Sequence, residues 1–259
     1  MSLDEPFDYH VSRPAARWLA PRLRALGMTA DGVSLLALAL GVGAGVCLGR
    51  DGRWPVVGGL LLVGMIIGDC TDGEVARLGP PSEKPWRGRL LDGFADLGTV
   101  VAVHVGMAIH VAGGEPWRGQ TPDGMMAAGL FSAAFIAFAW KSSVLDDVKQ
   151  RLKPASIDLD LPRYHAQASG GLERALLWLF SQYVRNAARL AGEGRNASPE
   201  IFRLVAWVGP THHLAAIACA GLVSPLVPHA FGLYAAATLL PGSAWLAWVL
   251  MRARRAPLH

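Results

Sequence analysis

Four carboxylates, Asp69, Asp72, Asp92 and Asp96, stand at the ends of two long apolar runs. Bare charge is disfavoured in such surroundings, and four like charges repel unless something positive binds among them. Their spacing says where they point. On a helix with Asp69 at 0°, Asp72 falls about 60° to one side, Gly73 about 40° to the other, Ala76 about 20° away and Arg77 about 80°. Two acids, two small residues and a guanidinium therefore share one face. Glu74 falls about 140° away and points elsewhere. Further on, Gly88, Asp92 and Asp96 recur every four residues and form one stripe. Two antiparallel helices with these faces together make an oxygen-lined cage beside small residues. Hard divalent cations, Mg²⁺ above all, take such oxygens, and four carboxylates suit two metals about 3.5–4 Å apart.

The stretch resembles the signature of the CDP-alcohol phosphotransferase family, D-x-x-D-G-x-x-A-R, a short gap, then G-x-x-x-D-x-x-x-D. Asp69, Asp72, Gly73, Ala76, Arg77, Gly88, Asp92 and Asp96 fill every fixed position. One departure is the gap Leu78–Arg87, two residues longer than is usual in the family and containing Pro80, Pro81 and Pro85. It is read as a longer loop.

The resemblance implies an enzyme that transfers a substituted phosphate group from a CDP-alcohol to an acceptor alcohol and releases CMP. It implies metal ligation by Asp69, Asp72, Asp92 and Asp96, with Mg²⁺ at two sites and Mn²⁺ as the alternative ion. Asp96 is the implied catalytic base. Asp69, Gly73, Ala76, Arg77 and Gly88 are the implied nucleotide-binding residues. Lys141 and Arg203 are candidate acceptor-binding residues, with snorkelling to the interface as the competing reading. Cys70–Leu78 is similar to the segment in members that use inositol phosphates, so the donor is of the CDP-diacylglycerol or CDP-inositol type, and the acceptor an alcohol or a sugar phosphate. The implied setting is phospholipid or inositol-phosphate biosynthesis, and relatives imply a homodimer. Two rivals stand beside this. An aspartate-rich membrane prenyltransferase also uses Mg²⁺ but needs no Asp-Gly-x-x-Ala-Arg. A transporter would carry its acids near mid-span.

The elements that must position these residues are membrane spans. Of 259 residues, 52% are hydrophobic and only 17% charged, against about 25% charged in soluble domains. Long uncharged runs predict an all-α bundle of six transmembrane helices in a single domain, 1–259, with an N-terminal amphipathic helix at the interface within 1–28, a core at 29–251 and a basic tail at 252–259. The predicted spans are about 28–48, 54–78, 88–112, 124–144, 203–223 and 229–251. Thr29 or Asp31 is expected either to N-cap the first or, as the resemblance implies, to contact the nucleotide.

Residues 1–12 are polar and are expected to be loose, with Ser12 capping a helix that has Pro14 in its first turn. Val11, Ala15, Trp18, Leu19, Leu23 and Leu26 then keep helical spacing, with Arg13, Arg17 and Arg24 off that stripe and a bend expected at Pro21. The first 30 residues show no apolar region followed by a cleavage site, so no signal peptide is expected. A second surface helix is expected after Gly170-Gly171, where Leu172, Leu176, Leu179, Tyr183, Ala187 and Leu190 recur. Asp146 and Asp147 read as a solvated helix end, and the histidines His212 and His213 as packing groups.

Of the 24 lysines and arginines, 21 fall on the side of the four acids and three, Arg50, Arg53 and Arg118, on the other. The positive-inside rule then predicts an inner-membrane protein with its termini and acids facing the cytoplasm. The net charge of +4 is spread along the ends of spans, which suits a lipid bilayer and not a nucleic acid. Cys47, Cys70 and Cys219 have no metal-site spacing and imply no disulfide framework.

Overall fold

A computed structural model describes residues 3–80, 85–113, 124–152, 164, 166–168, 170–191 and 198–255. All regular structure among them is helical. In chain order the helices are α1 (Arg13–Ala25), α2 (Ala30–Leu48), α3 (Trp54–Leu78), α4 (Pro85–Ala112), α5 (Gly124–Leu152), α6 (Gly171–Ala191), α7 (Pro199–Val205), α8 (Pro210–Val223), α9 (Ala230–Leu239) and α10 (Pro241–Arg255). Six segments are long and apolar enough to cross a bilayer: Ala30–Leu48, Trp54–Leu78, Leu90–Ala112, Gly124–Leu152, Pro199–Val223 and Ala230–Arg252. The protein is an all-α, six-span integral membrane protein.

The first three spans form a tight unit around α2. In a membrane, helices associate by close packing of small residues. Here Gly45 of α2 faces Ala102 and Gly106 of α4, and a Cβ at Gly45 would stand 2.8 Å from that of Ala102. No other residue fits at that crossing. Both α3 and α4 lean on α2 more than on each other. The ends that carry the acids are thus held side by side by α2. Thr29 caps α2, its hydroxyl accepting from the Gly32 N–H at 3.1 Å.

The last two spans are broken. The fifth is α7, a 3₁₀ turn (Ala206–Val208), then α8 after Gly209. The sixth is α9 and α10, divided at Leu240–Pro241. Each second piece starts with a proline, which has no N–H to continue the ladder. Freed backbone groups inside a membrane must find partners elsewhere. Two charged side chains supply them. Lys141 of α5, fully buried, donates to the Thr238 carbonyl just before the second break. Glu5, 1% exposed, accepts from the N–H groups of Thr211 at 3.1 Å and His212 at 3.4 Å, at the start of α8.

That contact corrects the expectation of a loose N-terminus. Helix begins at residue 6 and continues through a π segment, Asp8–Ser12, into α1. Ser12 lies inside this helix and makes no cap hydrogen bond. The partners that fix the segment are distant in sequence: Glu5 also meets His212 Nδ1 at 3.1 Å and Lys149 Nζ at 3.6 Å.

Pro21 lies inside α1 without ending it. Ala16 and Ala20 are buried, whereas Val11, Trp18 and Leu26 of the apolar stripe stay exposed. An interfacial helix offers lipid such a stripe. α6 forms where a second surface helix was expected, and buries Leu177 against Leu90. The side chains of Leu172, Leu176, Tyr183, Ala187 and Leu190 lie outside the described residues, as do 81–84 of the motif gap.

Candidate functional site

The last turns of α3 and the first of α4 carry the acids. α3 ends at Leu78 because Gly79 turns to an extended conformation. Asp69 and Asp72 lie within one turn on α3, and Asp92 and Asp96 occupy successive turns of α4. Between the two helices, carboxylate oxygens of Asp69, Asp72 and Asp92 all lie within 4.8 Å of one another. Asp96 stands one turn further along and is not part of that group, but it is near enough to Asp69 and Asp92 for their charges to interact.

A donor set of three carboxylates this close, all oxygen, fits a hard divalent cation. Asp72 is held in place from α2, where Ser34 donates to its Oδ2. The guanidinium of Arg77 does not neutralise the cluster. It lies over Gly73 and pairs with Glu74, Nη2 to Oε1 at 2.7 Å and Nε to Oε2 at 3.2 Å. Glu74 points away from the acids, as its helical angle predicts, and its Oε1 also draws Arg13 at 3.6 Å and Arg17 at 3.8 Å. One glutamate thus fastens α1 to the motif helix.

The small residues have open space beside them. Among the described residues, a Cβ at Gly88 would meet nothing within 4 Å, and one at Gly73 only the Arg77 guanidinium at 3.9 Å. Ala76 is exposed. Packing among the described residues does not demand glycine at Gly73 or Gly88, in contrast to Gly45.

Three contributors were not legible as such in the sequence. Ser34 has no motif signal; only its place early in the neighbouring span could have suggested it. Asp146, read as a solvated helix end with Asp147, is half-buried and lies within electrostatic range of Asp96. Asp147 does behave as a helix-end group, pairing with Arg151 at 2.9 Å. Asp8 accepts from Thr211 Oγ1 at 2.9 Å and faces Cys70 Sγ at 3.7 Å, next to Asp69 in the chain. Burial, and then the charge of Glu5, hold the Asp8 carboxyl above its usual range. Burial works against the Arg13 charge, but Asp4 at 2.9 Å and Glu74 prevail and raise it.

Lys141 and Arg203 have their own surroundings. Lys141 is committed to the α9–α10 break. Arg203 is exposed and lines a separate cavity with Tyr9, His10 and Trp207. No family model, curated protein or solved structure matches the chain.

Proposed function

We propose that the chain is a metal-dependent CDP-alcohol phosphotransferase. The observation that carries this reading is the convergence of Asp69, Asp72 and Asp92 oxygens within 4.8 Å, on two helices that both pack on α2. The matched motif around them supports it.

Asp69, Asp72 and Asp92 would hold Mg²⁺, with Asp96 completing a second site or remaining free. The ion supplies charge neutralisation for a pyrophosphate and for the negative charge that develops as it is cleaved. The open space at Gly73, Ala76 and Gly88 takes the cytidine nucleotide against the backbone. Arg77, already oriented by Glu74, offers its remaining N–H groups to a phosphate. In the reaction a P–O bond forms between the acceptor oxygen and the donor's β-phosphorus. The phosphoanhydride bond breaks, and CMP leaves with its electron pair. The acceptor's hydroxyl proton goes to Asp96, a carboxylate outside the tight three-acid group and so available as a base. The donor is of the CDP-diacylglycerol or CDP-inositol type, and the active site faces the cytoplasm of the inner membrane. A homodimer is part of the same reading.

The test is CMP release by purified protein in lipid and detergent with Mg²⁺. CDP-diacylglycerol and CDP-inositol are offered separately against inositol phosphate, glycerol phosphate, inositol and serine. Metal-dependent release that disappears in Asp96→Asn supports the reading. A folded protein that binds neither Mg²⁺ nor CDP overturns it and favours the transporter.

A further inference from the structure

Ser34 is polar, lies outside the acidic motif and is only 4% exposed. It stands in the second turn of α2, and the packing of α2 on α3 decides what it faces. Val33 shares a core cluster with Val75. Ser34 meets Asp72. Ala37 lies against Gly68, where an added Cβ would stand 3.3 Å from that of Ala37. Going up one helix is going down the other, so these three meetings fix an antiparallel register. Two small residues in close approach, one turn from the serine, hold that register firmly. Ser34 is thus a rigid post beside Asp72.

Its hydroxyl has one proton and two acceptors within reach, Asp72 Oδ2 and the Ala30 carbonyl at 3.2 Å. The Asp72 oxygen is the nearer of the two. The Ala30 carbonyl also stands in the helical ladder of α2. A carboxylate that ligates a cation is ionised and has no proton of its own to give. The donor in the pair is therefore Ser34. The hydrogen bond falls on Oδ2 and leaves Oδ1 of Asp72 for an ion shared with Asp69 and Asp92.

We propose that Ser34 is a positioning residue that sets which divalent ion the acids take: by holding Oδ2 it makes Asp72 a one-oxygen ligand and favours Mg²⁺ over Ca²⁺. The inference rests on the reading of Asp69, Asp72 and Asp92 as metal ligands. Mg²⁺ takes octahedral oxygens at about 2.0–2.1 Å, needs few carboxylates and keeps several waters. Ca²⁺ takes about 6–8 oxygens at about 2.3–2.6 Å and accepts both oxygens of one carboxylate. Three acids that give one oxygen each suit the smaller ion. The larger ion is left short of protein oxygens, and a turn of Asp72 to present both is opposed by the serine. Hydrogen bonds behind metal ligands tune affinity by about 10–100-fold.

The test titrates the full chain in detergent with Mg²⁺ alone and with Ca²⁺ alone, by calorimetry, as wild type, Ser34→Ala and Ser34→Thr. Thermal unfolding without metal checks each fold. Wild type is expected to bind Mg²⁺ more tightly than Ca²⁺. Ser34→Ala should weaken Mg²⁺ about tenfold and leave Ca²⁺ as tight or tighter, so that the preference moves at least tenfold toward Ca²⁺. Ser34→Thr keeps the donor and should keep the wild-type preference. Equal affinity of wild type for the two ions overturns the proposal. So does a Ser34→Ala protein that binds Mg²⁺ as wild type does, or that loses both ions by the same factor, which is plain loosening of the site. A Ser34→Thr protein that unfolds like wild type yet shows the alanine preference overturns it as well. Wild type that binds neither ion removes the metal reading and this inference together. Absence of CMP release alongside the expected ion preference overturns the transferase reading alone.

Discussion

The two halves of this bundle handle polar groups in opposite ways. In α2–α4 the spans are continuous, they approach through Gly45 and Gly106, and their carboxylates stand together toward the span ends. In α7–α10 the spans are broken, and the charged groups near the breaks are already used: Lys141 on the Thr238 carbonyl, Glu5 on the start of α8. The first half gathers carboxylates that, on the proposed reading, take a cation. The second consumes charge to repair its own backbone. A polar residue in a membrane helix is therefore informative only once its partners are known.

The comparison breaks first at the acids. Asp69→Asn or Asp92→Asn should lower CMP release by a thousandfold or more, about 4 kcal/mol of transition-state stabilisation, while thermal stability without metal holds or rises as repulsion is relieved. A turnover assay paired with thermal unfolding reads both, and a variant that loses stability along with activity would put these acids in the structural class. Next comes the metal itself. Mg²⁺ at a hundred times its dissociation constant should stabilise wild type by about 2.7 kcal/mol, EDTA should reverse this, and Asp72→Asn should show little response. Calorimetry of the three samples decides it.

Lys141→Met sharpens the other side. It leaves the Thr238 carbonyl short of a donor and should destabilise by about 1–3 kcal/mol, with Mg²⁺ binding intact. A large loss of turnover at unchanged stability would instead make Lys141 an acceptor-binding group. Gly45→Ala tests whether the first half depends on close approach. Overpacking against Ala102 should destabilise by about 1–3 kcal/mol, whereas Gly88→Ala, with open space beside it, should leave unfolding unchanged and weaken nucleotide binding.

The smallest effect is at Asp8. Its carboxyl titrates above the ordinary carboxylate range in the folded protein, so the fold holds a proton that the unfolded chain has released. Stability contributed by that proton is present at low pH and declines as pH rises from the unfolded value through the raised folded one. Asp8→Asn should flatten this decline in a pH series of unfolding midpoints. A steeper decline in the variant would contradict the assignment.

How much of this was legible follows from where each signal resides. The six spans and the acidic faces of α3 and α4 are local patterns of period and polarity, and the chain states them directly. The span breaks were written in Pro210 and Pro241, yet hydropathy alone averages over a proline. The burial of Glu5 could not be read at all, because nothing near it in the chain calls for burial. Lys141 was ambiguous for the same reason: a lysine at a span end looks alike whether it meets water, a substrate or a carbonyl 97 residues away.

Glu5 has a further consequence, for the order of assembly. Thr211, whose N–H it accepts, is made 206 residues after it. Until α8 is made, Glu5 lacks the N–H groups of Thr211 and His212 that it accepts from in the folded protein. Docking of the Glu5 segment onto α8 therefore cannot precede synthesis of α8, and the same segment sets Asp8 against Cys70. A fusion that pins the N-terminus away from the bundle would leave a protein with all six spans inserted and that docking undone.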